Sequence, residues 1–133
     1  MENTSTYNGW TNHATWKVGL EVFDGWSIDC TFDSDEWLDV MREELADLNK
    51  GHRSEIADDT KALLFKQYMI TYMADYMREY PTSWVEEVSD ITLQGWLESW
   101  LDQVNWRELA KHHLDQDAMF CQMVDCVANG GSL

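Results

Sequence analysis

A chain of 133 residues carrying 25 Asp and Glu against 9 Lys and Arg must fold against its own charge. With a formal net of −16, every compact arrangement brings like charges together, and self-repulsion opposes it. Only a substantial apolar core offsets that opposition. Eight Trp, five Tyr and four Phe supply one, within a chain that is 44% hydrophobic. Acidic disordered segments are poor in aromatics, because they have too little apolar surface to offset chain entropy. Compact folding is therefore expected, as a single domain over residues 1–133 with a frayed tail over 129–133.

The same totals narrow the function classes. A folded surface this negative repels DNA, RNA and anionic lipid, and is drawn to protein surfaces that bind nucleic acid. No stretch approaches the ~20 apolar residues of a membrane span. Met1 to Thr6 lacks a basic segment followed by an apolar one, so no signal peptide is expected. Cys30, Cys121 and Cys126 are odd in number and form no paired framework, which suits reduced thiols in the cytoplasm. Charge and composition leave the oligomeric state open, a homodimer included.

Apolar periodicity predicts a mainly α fold, a compact bundle of about five to six helices. The clearest spans residues 33–49. Asp33 and Glu36 form a capping box, Gly51 is the stop, and Trp37, Leu38, Met41, Leu45 and Leu48 share an arc of about 100°. A second is expected from Asp59 to Tyr80, stopped by Pro81, with a Tyr/Met stripe from Phe65 to Tyr80 broad enough to touch several neighbours. A short helix near Ser83–Val88 follows. Thr92 opens another, in which Leu93, Trp96, Leu97, Trp100 and Leu101 read as a core stripe. Asn105 and Glu108 cap the next, with Trp106, Leu109, Ala110, His113 and Leu114 inward. The last runs from about Gln116 to Ala128 over Phe120, Met123, Val124 and Val127, ended by Asn129-Gly130-Gly131.

Residues 15–32 carry two patterns at once. Trp16, Val18, Leu20 and Val22 alternate with other residues, as do Trp26, Ile28, Cys30 and Phe32, and Asp24-Gly25 between them suggests a β-hairpin. With a three-residue loop the apolar sets share a face, giving an α+β alternative. The helical reading takes Asn12 as N-cap, Trp16, Leu20 and Phe23 on one side, and Gly25 as stop.

Tyr7-Asn8-Gly9-Trp10-Thr11-Asn12 followed by Thr15-Trp16 resembles the opening of small uncharacterised phage and plasmid proteins that begin Asn-Gly-Trp-Thr-Asn-x-x-Thr-Trp. The stretch Val104–Leu114 resembles their second block, Asp-Trp-x-Glu-Ile-Ala-x-His. The two blocks cover about a fifth of the chain. The resemblance implies a mobile-element origin and a mainly helical fold, which favours helix over Thr15–Phe23, and it carries over no catalytic residues.

No catalytic constellation stands out. No Gly-rich phosphate loop follows a strand and no Gly-x-Ser-x-Gly appears. His112 or His113 with Cys121 and Cys126 is the one set resembling zinc ligands, but its Cys-x4-Cys spacing is loose and a fourth ligand is lacking. Neither an enzyme nor a cofactor is expected.

The carboxylates themselves are the candidate site. On the 33–49 helix, Asp35, Glu36, Asp39, Glu43, Glu44 and Asp47 lie opposite the apolar arc. Carboxylates four residues apart stand about 6 Å apart, of the order of the spacing of phosphates along a DNA strand whose rise is about 3.4 Å per nucleotide. Asp58, Asp59, Glu86, Glu87 and Asp90 are candidates to extend the array, and Trp10 is the candidate aromatic anchor. The expected function is inhibition of a host nucleic-acid-binding defence system, a CRISPR effector or a restriction enzyme, by DNA mimicry in the host cytoplasm. The partner would offer a Lys/Arg-rich groove. The alternative is an acidic phage accessory or assembly protein whose charge serves solubility.

Overall fold

The computed structural model describes residues 9–48 and 56–130, and among these the regular structure is helical, without a strand. In chain order the helices are α1 (His13–Glu21), α2 (Ile28–Thr31), α3 (Ser34–Leu48), α4 (Asp58–Glu86), α5 (Ile91–Asp102), α6 (Trp106–Asp115) and α7 (Ala118–Ala128). The mainly α expectation holds. The stop at Gly51, and the tail beyond Gly130, lie outside the described residues.

The hairpin alternative over 15–32 does not form. Asn12 caps α1 instead, its Oδ1 accepting from the Thr15 N–H at 2.9 Å and the Thr15 hydroxyl at 2.8 Å. Asp24-Gly25, the supposed hairpin turn, is a helix-to-helix connection with Gly25 at φ +75°, and Ile28 begins the single turn of α2. A two-stranded hairpin without further strands is marginal, whereas capped helices satisfy their own backbone. The buried face of α1 is Ala14, Thr15 and Val18. Of the expected Trp16–Leu20–Phe23 side, Leu20 is half exposed and Phe23 is buried beyond the helix end.

Pro81 does not stop α4. It lies inside a 29-residue helix, and the separate helix expected near residues 83–88 is the last part of α4. Proline removes one ladder N–H and crowds the carbonyl four residues back. Here the Thr82 hydroxyl donates to the Arg78 carbonyl at 2.7 Å and the Ser83 hydroxyl to the Tyr80 carbonyl at 2.8 Å. The ring is buried, so its packing offsets the lost backbone bond. Along α4 the Tyr/Met stripe divides: Phe65, Met69, Met73 and Met77 are wholly buried, while Tyr68, Tyr72 and Tyr76 stand half-buried beside them.

Contacts gather the chain into two compact units. One comprises Met1–Gly25 and Met73–Ala110, the other Trp26–Tyr72 and Lys111–Leu133. The first unit packs Val18, Phe23, Met77, Leu101, Trp106 and Leu109 among its buried residues. The second packs Trp37, Met41, Leu45, Phe65, Leu114 and Phe120, with the Phe65 and Phe120 rings stacked at 6.0 Å.

In the second unit the Asp33–Glu36 box forms as expected: the Glu36 N–H donates to Asp33 Oδ1 at 2.8 Å, and the Asp33 N–H to Glu36 Oε1 at 3.2 Å. α7 starts two residues later than the pattern suggests, because Asp117 is its cap. Asp117 Oδ2 accepts from the Phe120 N–H at 2.9 Å and from the Trp37 indole N–H at 2.8 Å, tying α7 to α3. Gly130, at φ +80°, closes α7 in the left-handed conformation. A Cβ there would lie 2.9 Å from Asp58 Oδ2, so a larger residue would also displace the Asp58 carboxylate.

His113 is half-buried, with the Trp26 ring edge-on at 4.9 Å. Burial and, secondarily, the neighbouring His112 lower its imidazole from 6.5 to about 4. Between those values the unfolded chain takes up a proton that the folded chain does not. Stability is therefore full above pH 6.5 and falls as pH drops from 6.5 toward 4. Urea unfolding of His113→Asn beside the parent chain checks this: the parent is expected to lose stability relative to the variant across that window. Parallel pH curves would contradict it.

Candidate functional site

Of the residues that carry the phage-protein resemblance, Gly9–Asn12, Thr15, Trp16 and Val104–Ala110 fall in the first unit and Lys111–Leu114 in the second, Tyr7 and Asn8 lying outside the described residues. The Thr11 N–H donates to Glu108 Oε1 at 2.9 Å, and the Asn12 side-chain amide to the Gln103 carbonyl at 2.7 Å. The Asn105 N–H donates to the Thr15 hydroxyl at 2.8 Å, and its side-chain amide to Thr11 Oγ1 at 3.2 Å. Asn105 caps α6 by accepting from the Glu108 N–H at 3.0 Å, but Glu108 spends its carboxylate on Thr11 instead of returning it to Asn105. Gly19 lets α1 approach α6, since a Cβ there would lie 3.1 Å from Leu109 Cδ2 and 3.9 Å from Trp10 Cζ2. Trp10 is half-buried, so part of its ring serves this packing. The two blocks therefore build a fold element.

The carboxylate candidates divide between the units. On α3, in the second unit, Asp35, Glu36, Asp39, Glu43 and Asp47 are all exposed. Asp35, Asp39, Glu43 and Asp47 form one i, i+4 row running about 18 Å along the axis at 1.5 Å per residue. Within α3 Asp39 pairs with Arg42, and that pair is long at 3.9 Å and open to solvent. Such a pair contributes about 0–1 kcal/mol and leaves the row strongly negative. Glu44 stands apart. It is half-buried, and burial first, then Asp47 and Glu43, raises its carboxyl above the ordinary value. Asp58 and Asp59 occupy the first turn of α4, where negative charge complements the helix dipole. Among the α6 acids, burial raises Asp115, but hydrogen bonds and charge from Lys111 and Lys66 outweigh it and hold the carboxyl below its usual range.

Glu86, Glu87 and Asp90 lie in the first unit, at the α4–α5 turn. Asp90, and not Thr92, caps α5, accepting from the Leu93 N–H at 3.0 Å. Asp90→Ala is expected to cost about 1 kcal/mol of stability and Asp90→Asn almost nothing, since both Asp and Asn cap well. Thermal unfolding of the two variants checks it. Equal losses would mean that the charge, not the cap, is what stabilises.

The stripe of α5 is the largest departure from the sequence reading. Of Leu93, Trp96, Leu97, Trp100 and Leu101, only Leu101 is buried, while Trp96 is 70% exposed and Leu93 is 44% exposed. Trp84 at the end of α4 is half exposed and leans on Tyr80 at 5.1 Å. Between these helices lies an almost wholly apolar cavity of about 230 Å³, lined among others by Val22, Trp84, Val88, Leu97, Trp100 and Leu101. Gln94 bridges the two helices from the side, its amide donating to the Val85 carbonyl at 3.1 Å. Trp37 and Trp106, by contrast, are core residues as their spacing predicts. Periodicity marked α5 as apolar on one face; the missed signal is that its flanks, Glu79 to Gln103, hold six carboxylates and no Lys or Arg.

Among the described residues no group of three or more His, Cys, Asp and Glu is placed to hold a metal ion. Cys30, Cys121 and Cys126 are free thiols, and Cys121 Sγ points to the Asp115 carbonyl at 3.5 Å. The His112 ring meets the Gln116 side-chain amide at 3.2 Å. No helix among the described residues is long and apolar enough to cross a membrane. No protein-family model, curated protein or solved structure matches the chain.

Proposed function

We propose that the protein is a phage or mobile-element inhibitor of a host nucleic-acid-binding defence system, a CRISPR effector or a restriction enzyme. It acts without catalysis, occupying the nucleic-acid groove of its target in the host cytoplasm. The observation that carries this reading is the α3 row: four exposed carboxylates at i, i+4 spacing, held by a helix whose opposite face buries Trp37, Met41, Leu45 and Leu48. Rigidity matters, because a preorganised array loses little conformational entropy on binding. A charge-complementary groove draws such an array in quickly, and salt screens the attraction.

The test passes nuclease-treated host lysate over the immobilised protein and elutes with a salt gradient. The expected result is a nucleic-acid-binding effector that elutes at moderate salt, is competed off by duplex DNA, and loses its activity when the protein is added. Capture that duplex DNA does not compete would sink the mimicry reading.

The exposed apolar face of α5 favours a second reading, an accessory or assembly protein whose charge serves solubility. In that case reversal of the α3 charges leaves partner capture unchanged, and changes at Trp84 or Trp96 remove it.

A further inference from the structure

The cavity between the end of α4 and α5 has three properties that together define an occupant. It is apolar, it is small, and its surroundings are acidic. At about 230 Å³ it falls below the roughly 300–1,000 Å³ of sites for drug-sized ligands, so it suits apolar side chains and not a whole cofactor. Trp84, which lines it, is 50% exposed, and Trp96, one residue before the lining Leu97 on α5, is 70% exposed. Exposed Trp next to an apolar hollow is the composition of a protein-binding hot spot.

Charge selects among protein partners. From Glu79 to Gln103 the chain carries six carboxylates and neither Lys nor Arg. Two cations of the same unit are already engaged, Arg78 with Asp102 and Lys17 with Glu21. A second copy of the chain would bring the same carboxylates face to face, which costs free energy with each like-charged contact. An anionic surface is excluded for the same reason. The geometry points to a docking site for a cationic amphipathic helix of a partner protein. Apolar side chains at i, i+3 and i+4 enter the hollow beside Trp84 and Trp100, and flanking Lys or Arg meet Glu87 and Glu98. This site lies in the first unit and is independent of the α3 reading.

The test measures fluorescence anisotropy of a labelled helical Leu/Lys peptide, apolar on one face, titrated with the full chain. Two control peptides, one of Lys alone and one with Glu replacing Lys, are expected to bind at least tenfold more weakly. Trp84→Ser, Trp96→Ser and the double reversal Glu87→Lys with Glu98→Lys are each expected to weaken the Leu/Lys peptide at least tenfold. Trp96, being 70% exposed, is replaced without disturbing the core. Leu63→Ser, at an exposed apolar position of the second unit, and the combined Asp35→Lys, Asp39→Lys and Glu43→Lys reversal should leave affinity within about threefold. The inference is overturned if the Lys-only peptide binds as tightly, or if the α3 reversal is what removes binding. It is equally overturned if sedimentation shows a dimer that Trp84→Ser disperses, since a second copy would then be the occupant.

Discussion

Replacing Asp35, Asp39 and Glu43 together by Lys is expected to weaken capture of the nucleic-acid-binding target at least a hundredfold, with the fold intact. Coupling between close opposite charges across an interface is about 1.5 kcal/mol or more per pair, so reversing three members of one row removes several kcal/mol and adds repulsion. The stability side nearly cancels. All three side chains are exposed, and the Asp39–Arg42 pair that is lost is long and solvated. A Lys at position 35 opposes the helix dipole by about 0.3–1 kcal/mol. Against that, the formal net charge moves from −16 to −10, because each reversal adds two, and self-repulsion falls. Circular dichroism and thermal unfolding report the fold, and elution salt with duplex-DNA competition reports binding. A folded variant that is still captured and still competed would remove α3 from the interface.

Thr15→Val is expected to destabilise the chain by about 2–3 kcal/mol, despite conserving shape. Thr15 is completely buried, and its hydroxyl works in both directions, donating to Asn12 Oδ1 and accepting from the Asn105 N–H, each at 2.8 Å. Valine leaves the part-buried Asn105 N–H without its acceptor, at the lower end of the about 1–3 kcal/mol that an orphaned donor costs, and removes one of the two bonds that orient the α1 cap. Thr15→Ser keeps the hydroxyl and is expected to recover most of the loss, giving up only about 0.8 kcal/mol for the methyl group. Urea denaturation midpoints of the three proteins separate the terms. A Ser variant that loses more than the Val variant would assign the cost to packing of the methyl group and not to the hydroxyl.

Local signals were legible wherever the chain satisfies itself nearby. The Asp33–Glu36 box, the Asn12 cap and the Trp37–Met41–Leu45–Leu48 face all form from residues within a few positions of one another. Pro81 was misleading because its signal is also local, whereas burial of its ring depends on the tertiary structure. Alternation over Trp16–Val22 was misleading in the opposite way. A period of two over a few residues needs a strand partner to become a sheet, and none is formed among the described residues. The family-like blocks carried no role for their polar residues, and in the fold Thr11, Asn12, Thr15 and Asn105 hydrogen-bond to one another.

By itself the sequence determined the mainly helical class, most of the caps, and the carboxylate row on α3, because helix geometry converts spacing directly into a face. Only the tertiary structure decided that α4 runs through Pro81, that Glu108 reaches Thr11, and that the Trp-rich stripe of α5 stays open to solvent. Periodicity states that a helix has an apolar face, but whether another face arrives to cover it depends on where neighbouring helices are anchored. At α5 the anchors are Gln94, bound to the Val85 carbonyl, and the buried Leu101, and they leave Trp96 to water.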